Sequence, residues 1–383
     1  MILTGIFGAL AVLSFILLLW QWLAARRFPL HQRATDSAFA PAVTLLKPVK
    51  GCDAHTEDCL RSWFAQDYAG EIQILFAVAA AGDPAVAVIE KLQREFPQRD
   101  AQLLVCPERL GANAKVSKLA QLEPHVRHEV LVISDADVKV PADLLANAVA
   151  GLRDETVGLV NCFYRLANPT TLAMRLEAVA VNADFWSQVL QSRSLKPLDF
   201  ALGAVMATRR KQLVQIGGFR ALADCLADDY QLGQRIARLG SRIELCPVVV
   251  ECWDSPMGWN AVWRHQVRWA RTIRVCQPLP YFFSVLSNAT LWPLLYVAIA
   301  PSASAATIVG GIALTRLVAT LDCQVLLTRS WRHAGWFWLA PVKDLVQVVV
   351  WAAAFLGNTI EWRGERYRLQ RDGAIKTVSP TTK

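Results

Sequence analysis

From Ile2 to Leu23 the chain carries no charged residue, and Arg26 and Arg27 come directly after. An uncharged apolar run of this length spans a bilayer as a single helix. A secretory signal peptide carries its positive charge before the apolar stretch, whereas here the charge comes after it. The reading is a spanning anchor over residues 1–25, and the positive-inside rule puts the chain beyond Arg27 in the cytosol. Any fold for the rest must therefore sit against a membrane.

Composition agrees. Apolar residues make up 54% of the 383 and charged residues only 19%, against about 25% charged in a typical soluble domain. The net charge is +8. Its basic residues cluster beside apolar runs, at Arg26–Arg27, Arg264–Arg274 and Arg363–Arg371. That placement suits anionic lipid head groups, and no nucleic-acid-binding signature accompanies it, so no nucleic-acid partner is expected. The nine cysteines are odd in number and form no CxxC pair. They read as free thiols of a reducing compartment.

Between Pro41 and about Leu245, short β-branched runs alternate with mixed stretches of helical spacing. Val43–Leu46, Ile72–Val78, Gln102–Val105, Val130–Ile133 and Val157–Phe163 are the predicted strands. Such alternation predicts an α/β domain with a mixed, mostly parallel sheet. Ligands of open α/β sheets sit beyond the carboxyl ends of the strands. After about Val275 come three apolar stretches, Phe282–Ala300, Ser302–Leu327 and Trp336–Gly357, interrupted by Pro293, Arg316, Asp322, Pro341, Lys343 and Asp344. Three full crossings would strand the basic tail on the far side. One segment is thus expected to be re-entrant or interfacial, and charges at membrane depth are expected to pair or line a cavity.

Directly after the fourth predicted strand stands Ser134-Asp135-Ala136-Asp137. Two carboxylates one residue apart suit Mg²⁺ or Mn²⁺ on a diphosphate, or form a solvated acidic turn. Asp228-Asp229 opens a predicted helix, as a general base or as caps. Asp83 precedes Pro84, as a contact to base and ribose or as a turn residue. Trp259 to Arg274 is a basic, Trp-rich amphipathic run containing His265-Gln266-Val267-Arg268-Trp269. It suits an interfacial helix over 257–277, whose Arg and Trp side chains can clamp pyrophosphate and stack on a sugar or lipid.

Taken in this order, these residues resemble the GT-A glycosyltransferases of the ceramide glucosyltransferase group, which carry three separated acidic motifs and a (Q/R)xxRW motif. Leu45–Gly51 (LLKPVKG), Gly111-Ala112-Asn113-Ala114-Lys115, Thr359–Arg363 and Arg366–Leu369 extend the likeness over about residues 41–371. The resemblance implies a GT-A nucleotide-sugar-binding domain over 41–256, flanked by transmembrane helices: the N-terminal anchor, membrane segments over 278–360 and a basic cytosolic tail over 361–383. It implies nucleotide-sugar contacts from Lys47, Pro48, Asp83, Lys115 and Asp135, and a divalent metal on Asp137 and Asp135. Asp229 would be the base with Asp228 beside it, and His265, Arg268 and Trp269 would face diphosphate and acceptor. His265 departs from the pattern, since the family has Gln or Arg there. The implied activity is inverting transfer of glucose or N-acetylglucosamine from a UDP-sugar to a membrane lipid hydroxyl, on ceramide or on a hopanoid polyol. The implied setting is a bacterial inner membrane with the catalytic domain in the cytoplasm. Two other readings are a processive polysaccharide synthase, for which the C-terminal third is too short and interrupted, and a non-catalytic sugar-nucleotide sensor.

Overall fold

The computed structural model describes residues 1–34, 39–362, 365–370 and 373–378. Arg363 and Arg371 of the basic tail lie outside the described residues. An eight-stranded sheet organises the middle of the chain. Its strands are β1 (Val43–Pro48), β2 (Ile72–Val78), β3 (Asp100–Val105), β4 (Val130–Ser134), β5 (Val138–Lys139), β6 (Val157–Leu166), β7 (Val205–Arg209) and β8 (Arg242–Cys252), in the order β3-β2-β1-β4-β7-β6-β8-β5. β1, β2, β3 and β4 run parallel, β7 is antiparallel to both β4 and β6, and β6 and β8 are parallel. β1, β2 and β4 are buried along their whole length, as expected of strands covered on both faces. Two apolar layers do the covering. One centres on Trp186, Phe163 and Phe219 and the other on Trp63, Phe64 and Phe76.

Ten helices matter to the site and the membrane: α1 (Ile2–Arg27), α2 (Ala114–Leu122), α3 (Leu172–Val179), α4 (Trp186–Arg193), α5 (Asp228–Arg238), α6 (Trp259–Cys276), α7 (Pro278–Phe283), α8 (Leu291–Ile299), α9 (Ala303–Thr328) and α10 (Ala340–Phe355). A π-helical turn, Ala180–Phe185, joins α3 to α4. The chain ends in a small antiparallel sheet of β9 (Thr359–Trp362), β10 (Glu365–Leu369) and β11 (Ile375–Thr377).

Three helical stretches are long and apolar enough to cross a membrane: Ile2–Arg27, Ala303–Thr328 and Trp331–Phe355. A fourth, Pro278–Ser287 with Leu291–Ile299, is bent by 52°. Side-chain contacts order them along α1. Phe7 and Gly8 meet Trp292 and Tyr296 of α8. Leu18 packs with Ala289, Ile312 and Ala319. Further down, Trp22 and Arg26 both hold Asp322, at 2.6 and 2.7 Å. So α8 climbs away from the catalytic domain and α9 returns to it, where Leu326 and Thr328 meet His31 and Arg165.

The stretch 331–355 has both ends on the catalytic side: His333 bonds the Ala167 carbonyl at 2.7 Å, and α6 residues hold 358–359. The tail then pairs with the catalytic domain, Ile375 N–H donating to Asp224 O at 2.7 Å. Tail and catalytic domain are thus in direct contact, an arrangement that a re-entrant or interfacial segment among the apolar stretches would accommodate.

The charges inside the apolar stretches pair as expected. Arg316 of α9 makes bidentate bonds to Asp184 (3.0 and 2.8 Å) and to Asp344 (2.9 and 2.8 Å). Lys343 pairs with both carboxylates, and Thr290 donates to Asp344 at 2.6 Å. All four charges are buried and they sum to zero. Replacing Arg316 with Leu leaves two carboxylates on one lysine. Such breakage of a buried pair costs about 3–5 kcal/mol, so the variant is expected to melt well below wild type in detergent. A melting curve measures this, and an unchanged midpoint would show the network to be energetically idle.

Candidate active site

β1 and β4 lie side by side in parallel, Leu46 opposite Ile133. Their carboxyl ends therefore bring the KPVKG turn against the Asp135–Asp137 turn. Lys47 does not reach out to a ligand. It is fully buried, its ammonium donating to Ser134 Oγ at 3.3 Å and to the Asp135 carbonyl, over the Trp63 ring at 4.8 Å. Burial lowers its pKa to about 8, with Asp135 and Asp137 pulling the other way. Lys47 thus acts from beneath, holding the acidic turn, and Pro48 is buried in the strand beside it. Both were expected at the nucleotide; here the Lys47 ammonium is turned inwards, donating to Ser134 Oγ and the Asp135 carbonyl. Asp83 accepts from Gly51 N–H at 3.0 Å and from Ala85 N–H at 3.0 Å. It pins a turn in which Gly51 has φ +73°, a conformation that favours glycine.

Lys115 joins two of the acidic motifs. Asn113 caps α2, accepting from the N–H groups of Lys115 and Val116, while its own amide donates to Cys225 O at 2.8 Å. This ties the start of α2 to the loop before α5. Lys115 Nζ then lies 2.8 Å from Asp135 Oδ1 and 3.0 Å from Asp228 Oδ2. Burial opposes its charge, but Asp135 and Asp228 outweigh that and raise its pKa.

Among the described residues no cation stands at that range from Asp229. Its Oδ1 accepts from Tyr230 N–H at 2.8 Å, and its Oδ2 packs so close to Gly203 that a Cβ there would lie 2.6 Å away. Burial first, then Asp228, raises its pKa to about 6. Asp137 sits exposed at the mouth of the cleft. Crowding by surrounding protein, then the charges of Asp135 and Asp254, raise its pKa to about 7. The surplus of negative charge there suits a cation. Among the described residues no three His, Cys, Asp or Glu side chains converge into a cage. Asp135 and Asp137 alone fit the way Mg²⁺ or Mn²⁺ binds, through one or two carboxylates with substrate phosphate and water supplying the rest.

The RW motif lies on α6. Trp269 packs against His265 at 4.3 Å between ring centroids, and the Arg268 guanidinium lies 5.9 Å from the Trp362 ring. His265 Nδ1 stands 2.8 Å from Glu177 Oε1 of α3, which also accepts from Gln266 at 2.7 Å. The end of β8 connects this group to the acidic turn: Trp253 N–H donates to Asp137 O at 3.0 Å, and Asp254 interacts electrostatically with both Asp137 and His265. Sequence reasoning missed Glu177, Asp254 and Lys118, the last donating to Val49 O at 2.6 Å. Glu177 had a signal, since it and Asp184 are the two acids in the mostly apolar run 176–185; the other two had none. No disulfide joins the cysteines among the described residues.

Comparison with known proteins agrees with this arrangement. The family model described as Glycosyl transferase family 21 matches residues 6–375. Ceramide glucosyltransferase 3 of Caenorhabditis elegans is 22% identical over 367 residues, 92% of this chain and 78% of that protein. A ceramide glucosyltransferase of Candida albicans is 33% identical over 128 residues, 30% of this chain; the matched part spans 24% of that protein's length. Among solved structures, a mannosyltransferase from Pyrobaculum calidifontis in complex with GDP-Man and Mn²⁺ covers 90% of this chain and 99% of its own, with a TM-score of 0.56 at 24% identity. That likeness establishes a GT-A-like glycosyltransferase fold.

A buried carboxylate whose pKa rises on folding makes the native state less stable once it ionises. The loss begins above the unfolded value near 4 and is complete above about 6, reaching about 3 kcal/mol for a two-unit shift. An Asp229→Asn protein is therefore expected to melt higher than wild type at pH 8, with the gap closing as the pH falls towards 4. Parallel melting curves across that range check it.

Proposed function

The chain belongs to glycosyl transferase family 21, and from that premise we propose that it transfers glucose from UDP-glucose, with inversion, to a hydroxyl of a ceramide-like membrane lipid. The observation that carries the proposal is the Lys115 bridge. It gathers the second and third acidic motifs at one strand-end cleft and leaves Asp229 free as a base.

In this reading the nucleotide lies across the ends of β1 and β4, along the Gly51 turn that Asp83 fixes. A divalent cation on Asp135 and Asp137 would neutralise diphosphate charge when bound. Asp229 takes the proton of the acceptor hydroxyl, and its pKa near 6 suits a base working at neutral pH. The hydroxyl oxygen attacks the anomeric carbon opposite the departing diphosphate, giving the inverted glycoside. Lys115 and Arg268 supply positive charge towards that leaving group, and the bridge to Asp228 keeps Lys115 in place. Trp269 and His265 border the acceptor side. Exposed Trp259, Trp263, Phe282, Phe283, Val342 and Val349 form an apolar surface on α6, α7 and α10, from which a lipid would enter. Arg26 and Arg27, at the domain end of α1, favour a cytoplasmic catalytic domain in a bacterial inner membrane. The ceramide glucosyltransferase relatives favour glucose and ceramide; N-acetylglucosamine and a hopanoid polyol satisfy the same chemistry.

Lipid mass spectrometry on cells expressing wild type and Asp229→Asn tests the whole reading. A lipid that gains a hexose only with wild type is the expected result. An N-acetylhexosamine, or a hopanoid product, would revise donor or acceptor. No glycosylated lipid from a membrane-inserted wild type would sink the transfer. In vitro, Asp229→Asn should lose about 10²–10⁴-fold in turnover while still binding nucleotide. Wild-type turnover should rise with pH to a plateau, with its midpoint near 6; a flat profile from pH 5 to 8 would remove Asp229 as the base.

A further inference from the structure

Glu177 has one oxygen that no described residue uses. Its side chain is 1% exposed. Oε1 accepts from Gln266 at 2.7 Å and lies 2.8 Å from His265 Nδ1, but Oε2 is buried without a hydrogen-bond partner among the described residues. Buried carboxylate oxygens are rarely left in this state, because the desolvation is uncompensated.

The surroundings indicate what would complete it. Glu177 lines a groove between α3, α6 and α10, together with Leu176, Trp263, Gln266, Gln347 and Val350. Trp259, Trp263 and Val346 on its rim are exposed and continue the apolar surface of α6, α7 and α10. A narrow apolar groove beside an exposed apolar surface, with an unsatisfied carboxylate at its wall, fits a lipid whose head group brings a hydrogen-bond donor. Glu177 also meets His265 at 2.8 Å, and His265 packs on Trp269 of the RW motif.

We propose that Glu177 is an acceptor-positioning residue, whose free Oε2 takes a hydrogen bond from an N–H or O–H next to the hydroxyl that is glycosylated. The site then selects lipids carrying a donor group beside the reactive hydroxyl, whether the amide N–H of an N-acylated amino-alcohol or a vicinal O–H of a polyol. The inference rests on the lipid-transfer reading.

Glu177→Gln keeps the shape and inverts the free atom. Gln266 donates to one position, so the new amide keeps its oxygen there and turns its NH₂ towards the groove. The experiment compares full-length wild type and Glu177→Gln, in detergent, on matched lipids: an N-acyl amino-alcohol lipid and its N-methyl amide, a polyol lipid and its vicinal deoxy analogue. Wild type should lose about tenfold or more in kcat/KM when the donor is removed, as befits a hydrogen bond to a charged group. Glu177→Gln should be slow on the intact lipids and indifferent to the removal, a non-additive cycle. The pair that shows the effect identifies which source the site takes.

Additive losses, or a wild type that uses both members of each pair equally, would overturn the Glu177 assignment. The wild-type comparison alone decides this if Glu177→Gln fails to fold. A wild type that glycosylates none of the lipids would instead overturn the transfer itself, so the two failures are distinguishable.

Discussion

The neutral network of Arg316, Asp184, Lys343 and Asp344 is the fixed point of this molecule. Asp184 belongs to the helix that also carries Trp186 and Ala183 into the core of the sheet domain. Arg316 belongs to α9, and Lys343 and Asp344 to α10. Four charges out of water are tolerated only when each is met, and here every carboxylate meets both cations. Such a network stabilises little against apolar packing, but it permits one register. The catalytic domain cannot slide or rotate on its membrane helices without uncovering charge. Asp184 stands within the π-helical turn, where the wider helix changes the phase of the next side chains along the chain. The same helical run can therefore present Trp186 to the domain core and Asp184 to the membrane helices.

That fixed register has consequences for chemistry. α6 is held between α3, α10 and the tail strands, so the RW motif has one position relative to the acidic cleft. Arg271 and Arg274 bind the backbone and Asn358 at the end of α10, and Arg264 reaches Glu361. Arginines that look, in the sequence, like a lipid-binding stripe are in part the fastening of the tail. An amphipathic helix can do both, because its stripe of cations is wider than the face any one partner covers.

The parallel half of the sheet was legible because β1, β2 and β4 are buried on both faces and read as unbroken β-branched runs. β7 and β8 were not. β7 contains Thr208 and Arg209, buried but satisfied by backbone carbonyls, and β8 contains Arg242, Glu244 and Pro247. In β7 the apolar run is only Val205–Ala207, and in β8 Pro247 interrupts the run Leu245–Val250. The membrane charges were legible as pairs but not as partners, since Asp184 lies 132 residues from Arg316. Asp135, Asp137 and Asp229 stand out by their spacing and position after strands and at a helix start. The inward turn of Lys47 under Trp63 was not legible, because a lysine at a strand end looks ready to meet phosphate and nothing local says otherwise. Glu177 went unread because its partners come from α6, about 90 residues on.

Lys115 shows why the three acidic motifs must be considered together. A carboxylate base and a cation-binding pair repel each other if all are ionised: burial first, then the charges of Asp228 and Asp135, raise the pKa of Asp229, and Asp135 and Asp254 add to the rise at Asp137. One buried ammonium placed between Asp135 and Asp228 lowers the cost of gathering them, without touching Asp229 at salt-bridge distance. The asymmetry matters. A lysine paired directly with Asp229 would depress its pKa and make it a poor base, whereas a lysine on its neighbour leaves the base basic and still offsets the charge around it. The arrangement separates the group that must hold position from the one that must accept a proton, although the two are consecutive in the chain.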